Sequence, residues 1–447
     1  MISFMATLVF TASAVEIPHE SYVLDNGMTV LLMEDHALPQ VVVDLWYGVG
    51  SFDDPHGASG FAHLFEHLMF MGTERVSEFD PVMEAAGGAN NASTMDDVTN
   101  YYSWGTSNVL DLLLFLEADR MTGLDITQDK LDLQREVVRN ELRQNYEDPP
   151  YGPVWLEIPA MIYPEGHPYR LSGIGSHEDL LNASLEHVQS FYESWYAPNN
   201  VTLVVAGDFE LEHARSRVSE YFGPLQPSVV PAHQVVSPVE APVTARRELH
   251  RDVPAPAVIM AWPTPNFFAE GDAELDVISD LLSGTSASRL DRRLVMGGEG
   301  VQQMWASQMS SKNGSIFMIY MLAEPDADLD HLEAVVSEEL ANLAGGLPAT
   351  TDELASYNLR SERSVIEGLE GLLARAESLQ LYQFHTGRAD GVEADLQRHR
   401  DVTPEDVAEV IGQYLTPERR AVLRVLPVEE VEEEADTLET SSDGGAE

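Results

Sequence analysis

Residues 60–73 read GFAHLFEHLMFMGT, and the organisation of the whole chain can be worked out from them. Ala62, Leu64, Phe65 and Leu68 fall on one helical face, so the segment is expected to be an amphipathic helix seated on a core. The same helix carries His63, Glu66 and His67. Positions i and i+4 lie one above the other, ~6 Å apart at Cβ, so two imidazoles point the same way from a single turn. They are poor filler for a Leu- and Phe-rich helix, because each buried ring nitrogen needs a partner. Neutral imidazole is a good zinc ligand, and a catalytic zinc site takes a third protein ligand and keeps a position open for water. Glu66, one residue before His67, stands at the edge of that face. A carboxylate there can take a proton from attacking water and return it to a leaving amine. H-x-x-E-H is the inverse of the zincin spacing.

The third ligand is expected from another helix. The candidate is Glu141 in residues 135–141 (REVVRNE), with Glu136 as the local competitor; helical periodicity does not choose between them. Upstream of the motif, residues 29–33 and 41–46 are β-branched, apolar runs around the polar turn Glu34-Asp35-His36, and they read as strands. Downstream, helical patterns cover 107–122 and 129–147, the second stopping at Pro149-Pro150, and residues 201–206 (VTLVVA) form a strand. Pro224, Pro227, Pro231, Pro238 and Pro242 then punctuate a stretch with little periodicity. Beyond it the order repeats: a strand at 258–262, a helix at 273–283, a strand at 315–322, helices at 329–344 and 352–376, and a strand at 421–426.

The expected fold class is therefore α+β, with two homologous, duplicated α/β-sandwich domains, each a mixed or antiparallel sheet covered by helices. The expected divisions are 1–19 as a signal remnant, 20–223 as the zinc-binding catalytic domain, 224–243 as a proline-rich linker, 244–428 as a metal-free homologous domain, and 429–447 as an acidic disordered tail. The signal reading rests on the short apolar stretch 2–14, which ends in Ala12-Ser13-Ala14 but lacks a cationic start. The tail reading rests on nine acidic residues and no basic one. Aligning Met71-Gly72-Thr73 with Ser283-Gly284-Thr285 puts Leu275, Ile278 and Ser279 opposite His63, Glu66 and His67, so one zinc per chain is expected.

Composition narrows the function. The 447 residues suit two to three domains of ~150 residues. Asp plus Glu number 75 against 25 Lys plus Arg, a net charge of −50, which excludes nucleic-acid binding and docking on anionic lipid. With no cysteine, thiolate nucleophiles, disulfides and Cys-ligated metals are excluded, so any metal must sit on His, Asp or Glu. No apolar run reaches the ~18–20 residues of a membrane-spanning helix. An acidic surface with only Lys130 and Lys312 as lysines suits a salty or extracellular setting, although GC-rich coding also favours Arg over Lys; the expected location is periplasmic or secreted. A secreted calcium-binding protein is disfavoured, because no D-x-D-x-D-G loop is present.

H-x-x-E-H followed ~70–80 residues later by Val137-Val138-x-x-Glu141 resembles the insulinase/pitrilysin family of zinc peptidases, nearest to the two-domain branch of mitochondrial processing peptidase and bacterial two-subunit periplasmic peptidases. Further anchors are residues 24–28 (LDNGM), Gly87-Gly88, His167-Pro168-Tyr169 and residues 191–208 (FYESWYAPNNVTLVVAGD). The resemblance implies zinc on His63, His67 and Glu141, with Glu66 as general base. It implies a peptide substrate added as a strand near Asn91, Ala92, Ser93 and Thr94, with Tyr169 assisting. Two departures stand out. Gln134 occupies the place, seven residues before Glu141, where the family often has a bracing glutamate. After Ser288-Arg289-Leu290, the family's Arg/Tyr pair falls here on Val295 and Gln302, with Arg292 or Arg293 as the nearest substitutes for the arginine. The resemblance thus implies a metal-bearing subunit whose partner is a homologous, metal-free chain carrying that pair. The alternative is a non-catalytic peptide-binding or scaffold subunit of the same fold. His36, His56 and His385 lack partners at metal spacing in sequence and are expected at the surface.

Overall fold

The structure is a computed structural model describing residues 15–428; the apolar start and the acidic tail lie outside the described residues. Among the described residues, eleven strands build two sheets. The first comprises β1 (Glu20–Val23), β2 (Thr29–Glu34), β3 (Gln40–Tyr47), β4 (Ala89–Thr94), β5 (Thr99–Thr106) and β6 (Val201–Gly207). The second comprises β7 (Arg246–Arg251), β8 (Ala257–Thr264), β9 (Val301–Met309), β10 (Ser315–Ala323) and β11 (Ala421–Pro427). The spatial orders are β1-β2-β6-β3-β5-β4 and β7-β11-β8-β10-β9. Apart from β1, the two orders superpose strand for strand. Each sheet has one parallel pair, β2 with β6 and β7 with β11, and is otherwise antiparallel. The chain is thus two α+β units of one topology, as the repeated element order implies.

The central strands β3 and β8 are mostly apolar, as burial on both faces requires, with buried Asp44 the acidic exception in β3. Every residue of β8, AVIMAWPT, is buried, as are the last seven of β3. On one face of the first sheet, Val43, Leu45, Leu203 and Val205 pack against Leu64, Phe65 and Leu68 of the helix Phe61–Leu68. The other faces are covered by exchange between the halves. The helix Leu372–Thr386, late in the chain, places Ala376 and Leu379 against Leu31, Val42 and Val204 of the first sheet. The helix Val154–Ile162, from the first half, places Ile158 and Met161 against Ile259, Ala261 and Leu423 of the second. No helix or strand lies between Phe222 and Arg246.

Two differences from the expected elements have plain causes. The single helix expected over 352–376 is two, Thr351–Gly368 and Leu372–Thr386. Gly368 and Gly371 weaken the intervening turn, which lets the second helix turn towards the other sheet. β9 (VQQMWASQM) was not expected as a strand, and β4 (ANNAST) only through the resemblance, which puts the peptide-binding edge there; neither shows a strong β-branched run. Both are edge strands, paired on one side only.

Candidate metal centre

The helix Phe61–Leu68 is held at its start. Gly60 precedes it at φ 82°, and a Cβ there would lie 2.6 Å from the Ile174 carbonyl oxygen, so only glycine fits. The Asp54 carboxylate accepts hydrogen bonds from the Gly60 (2.7 Å), Phe61 (3.2 Å) and Ala62 (2.8 Å) N–H groups, the donors a helix start leaves unpaired. On the apolar side, Phe65 packs on Tyr196 (4.3 Å between ring centroids), Tyr192 and Phe191, all from the FYESWY segment. These contacts set both the height and the rotation of the helix, and so aim the motif. Asp54→Ala is expected to lower stability by about 0.5–2 kcal/mol, the usual loss of an N-terminal cap, with Asp54→Asn recovering part of it; urea unfolding checks this.

The opposite face carries His63, Glu66 and His67 into a cavity of about 680 Å³. Glu141 is the last residue of the helix Gln128–Glu141, just before the chain widens into a π-helical turn at Leu142–Glu147. Such wide turns often occur at functional positions. Glu141 Oε2 lies 3.7 Å from His63 Nε2 and 3.5 Å from His67 Nε2, and the two imidazole rings stand at 88° to each other. A tetrahedral zinc with bonds of ~2.0–2.2 Å separates its ligands by roughly 3.3–3.6 Å, so the two measured separations lie close to what that ion needs. Glu136 is drawn off into an ion pair with Arg139 on the exposed side of its helix, so the structure brings Glu141 rather than Glu136 to the histidines.

Electrostatics agree with that use. Burial, and then the neighbouring His67, push the His63 imidazole down to about 4, which keeps it in the neutral, ligating form. Burial raises the Glu66 carboxyl above its ordinary value, opposed chiefly by a hydrogen bond from the Thr94 hydroxyl to Glu66 Oε2 at 2.6 Å. Gln134 also lines the cavity, its amide 2.8 Å from Met71 Sδ.

The expected substrate strand is the open edge of β4. Asn91 and Ser93 are exposed there and Ala92 and Thr94 half-buried, while the strand pairs only with β5. Tyr169 requires a correction. It is buried, its hydroxyl donates to both carboxylate oxygens of Asp97 at 2.7 Å, and it accepts from the Asn313 N–H at 3.1 Å. It therefore braces the β4–β5 turn against the second half and does not line the cavity of His63. His167 is likewise buried, stacked 4.5 Å from Tyr163. His385 is half-buried against Phe267, not at the surface as expected.

The second half offers a contrast. Leu275 and Ile278, opposite His63 and Glu66, are fully buried on the helix Asp272–Ser283. Among the described residues, the other group able to converge on an ion is Glu34, His36 and Glu210; His36 is exposed and hydrogen-bonded to Glu34 and Asp208 at 2.7 Å each. None of the arginines considered for the missing pair lines the cavity. Arg293 is paired with Glu299 and Glu338, Arg292 is exposed, and Arg289 is buried on Glu353, Glu339 and two carbonyls. The Arg289 hydrogen bond holds the Glu353 carboxyl at about 2. A depressed carboxyl stabilises the fold fully above its unfolded value near 4.5, and that contribution is lost as pH falls towards about 2. The difference in urea midpoint between the native chain and Glu353→Gln is therefore expected to be full at neutral pH and to shrink steadily below pH ~4.5.

Sequence reading missed Asp54, the Thr94–Glu66 hydrogen bond, and the contribution of the helix Phe79–Ala85, whose Asp80, Met83 and Glu84 line the cavity. Asp54 left one faint signal, a short polar residue a few positions before a Gly-started apolar helix.

The family described as Insulinase (Peptidase family M16) matches residues 29–154, and the family described as Peptidase M16 inactive domain matches residues 182–357. The chain belongs to peptidase family M16, the insulinase family. Among its relatives, the zinc protease PqqE of Helicobacter pylori is 28% identical over 361 residues, covering 79% of this chain and 80% of that one. The probable mitochondrial-processing peptidase subunit beta of Schizosaccharomyces pombe is 26% identical over 430 residues, 92% of each. The crystal structure of a protease from Helicobacter pylori matches with a TM-score of 0.86 at 26% identity, over 92% of this chain and all of that one.

Proposed function

We propose that this chain is a zinc-dependent endopeptidase acting on peptides or unfolded polypeptides laid along β4, and that it is the metal-bearing subunit of a heterodimer. The supporting observation is that Glu141 Oε2 lies within 3.7 Å of both the His63 and the His67 Nε2 atoms, with Glu66 on the same helix as the histidines and an open sheet edge beside it. His63 Nε2, His67 Nε2 and Glu141 Oε2 would hold the ion. When bound, zinc lowers the pKa of a water towards ~7 and polarises the scissile carbonyl. Glu66 takes the proton of the attacking water and passes it to the leaving amine. The Thr94 hydroxyl fixes one Glu66 oxygen and leaves the other to do this. β4 offers backbone groups to a peptide, and strand addition reads backbone more than side chains, so selectivity along the strand is loose.

The heterodimer is supported by Val295 and Gln302 standing where an Arg/Tyr pair is expected, and by a relative named as a subunit of a processing peptidase. The partner is a homologous, metal-free chain. A periplasmic or secreted location is supported by the short apolar stretch at 2–14 and the strongly acidic composition; among the described residues no helix is long and apolar enough to cross a membrane. The missing pair also favours a second reading, a peptide-binding subunit that does not cut. Cleavage of a quenched peptide by the purified, zinc-loaded chain separates the two. Activity removed by a chelator and restored by zinc supports the enzyme, whereas binding without cleavage, with and without the partner, supports the second reading. Full activity as a monomer would remove the heterodimer.

A further inference from the structure

A second, smaller cavity of about 230 Å³ lies at the junction of the two halves. Trp155, Leu171 and Met309 line it, and all three belong to the large apolar side chains that remain exposed, at 41%, 52% and 38%. Isolated exposed apolar residues are ordinary, but a group converging on one cavity marks a binding surface. Trp155 stacks nearly parallel (5°) on Trp305, and Trp305 stacks on Tyr320 at the same angle. Trp155 comes from the first half, while Trp305 and Tyr320 come from β9 and β10. The platform therefore exists only when the halves are docked.

The cavity is also tied to the proposed peptide edge. Asp96, in its wall, lies two residues beyond Thr94 in the β4–β5 turn, so the cavity adjoins the end of the strand whose Thr94 hydroxyl touches Glu66. We propose that this cavity receives one large apolar or aromatic side chain of a peptide paired to β4, a few residues from the bond that is cut. This rests on the reading of β4 as the peptide-binding edge. The volume is below the ~300–1,000 Å³ of pockets that take whole small molecules and suits a single side chain. The apolar side chains of the wall, Trp155, Leu171 and Met309, favour an uncharged occupant. The one carboxylate there, Asp96, accepts from the Ser51 and Ser311 hydroxyls, at 3.4 and 3.2 Å, and burial raises it above its ordinary value, which weakens its hold on a cation.

The test uses binding, so that it does not depend on catalysis. Fluorescent nine-residue peptides carrying Phe, Ala or Arg at each position in turn are titrated into the zinc-loaded full-length Glu66→Gln chain by anisotropy. At one position, Phe is expected to bind about tenfold or more tighter than Ala, with Arg no better than Ala. That ratio should fall to about one in Trp155→Ala and be largely kept in Trp155→Phe. Equal affinity for Phe and Ala at every position, a ratio unmoved by Trp155→Ala, tightest binding of Arg, or no binding of any peptide would each overturn the proposal. Cleavage by the native chain without this ranking removes the subsite and leaves the peptidase standing. Ranked binding without any cleavage by the native chain does the reverse.

Discussion

Glu66→Gln is expected to keep its zinc and to lose about three or more orders of magnitude in kcat. The reasoning is chemical and local. The amide has almost the shape of the carboxylate, and Thr94 still has an oxygen to donate to. The helix Phe61–Leu68 keeps its Asp54 cap and its packing on Tyr196, so neither the fold nor the three ligands are disturbed. What the amide cannot do is accept a proton from water. A positioned acid–base group contributes ~10²–10⁴-fold, and a loss of three orders corresponds to about 4 kcal/mol of transition-state stabilisation. Because the missing interaction belongs to the transition state, kcat falls and KM changes little. Metal analysis and steady-state kinetics on the same preparation check both halves of the expectation. Native-like turnover by this variant would remove Glu66 from the mechanism.

His63→Ala should fail differently, by losing the metal itself. With one of three protein ligands gone, zinc content is expected to drop from about one per chain to below about a tenth after dialysis, and activity with it. Zinc should raise the melting temperature of the native chain in a concentration-dependent way and leave that of His63→Ala unchanged, because a ligand stabilises only the state that binds it. His36→Ala is the control. Its neighbours Glu34 and Glu210 form the other group able to converge on an ion, yet they are exposed and His36 is already paired, so zinc content should not change. A His36→Ala chain that lost its zinc would place the metal on the wrong face of the molecule.

The reading of the site from sequence succeeded where helical geometry alone decides. His63, Glu66 and His67 share one turn, and an apolar face fixes which way that turn looks. It stopped at Glu136 against Glu141, because the choice depends on Arg139 drawing Glu136 to the solvent side, a matter of tertiary placement. Asp54 was invisible for a related reason: it caps its helix only because an irregular segment folds back on Gly60, and no period encodes that. The duplicated sheets were legible through β3, β6, β8, β10 and β11, whose side chains are buried on both faces. β4 and β9, at the edges, carry little apolar signal because one flank must stay open. Tyr169 was misplaced because a buried hydroxyl takes whatever partner the fold brings, here Asp97 across the junction of the halves. The crossing of the helices Val154–Ile162 and Leu372–Thr386 onto opposite sheets could not be read from a proline-rich linker, which marks where the chain passes between halves and not which half its helices cover.

The most direct test is anomalous diffraction at the zinc absorption edge from crystals of the zinc-loaded chain. One strong peak is expected, ~2.0–2.2 Å from His63 Nε2, His67 Nε2 and a Glu141 carboxylate oxygen, with Glu66 near but not bonded to it. A peak beside His36, or no peak between the two imidazoles, would contradict the account.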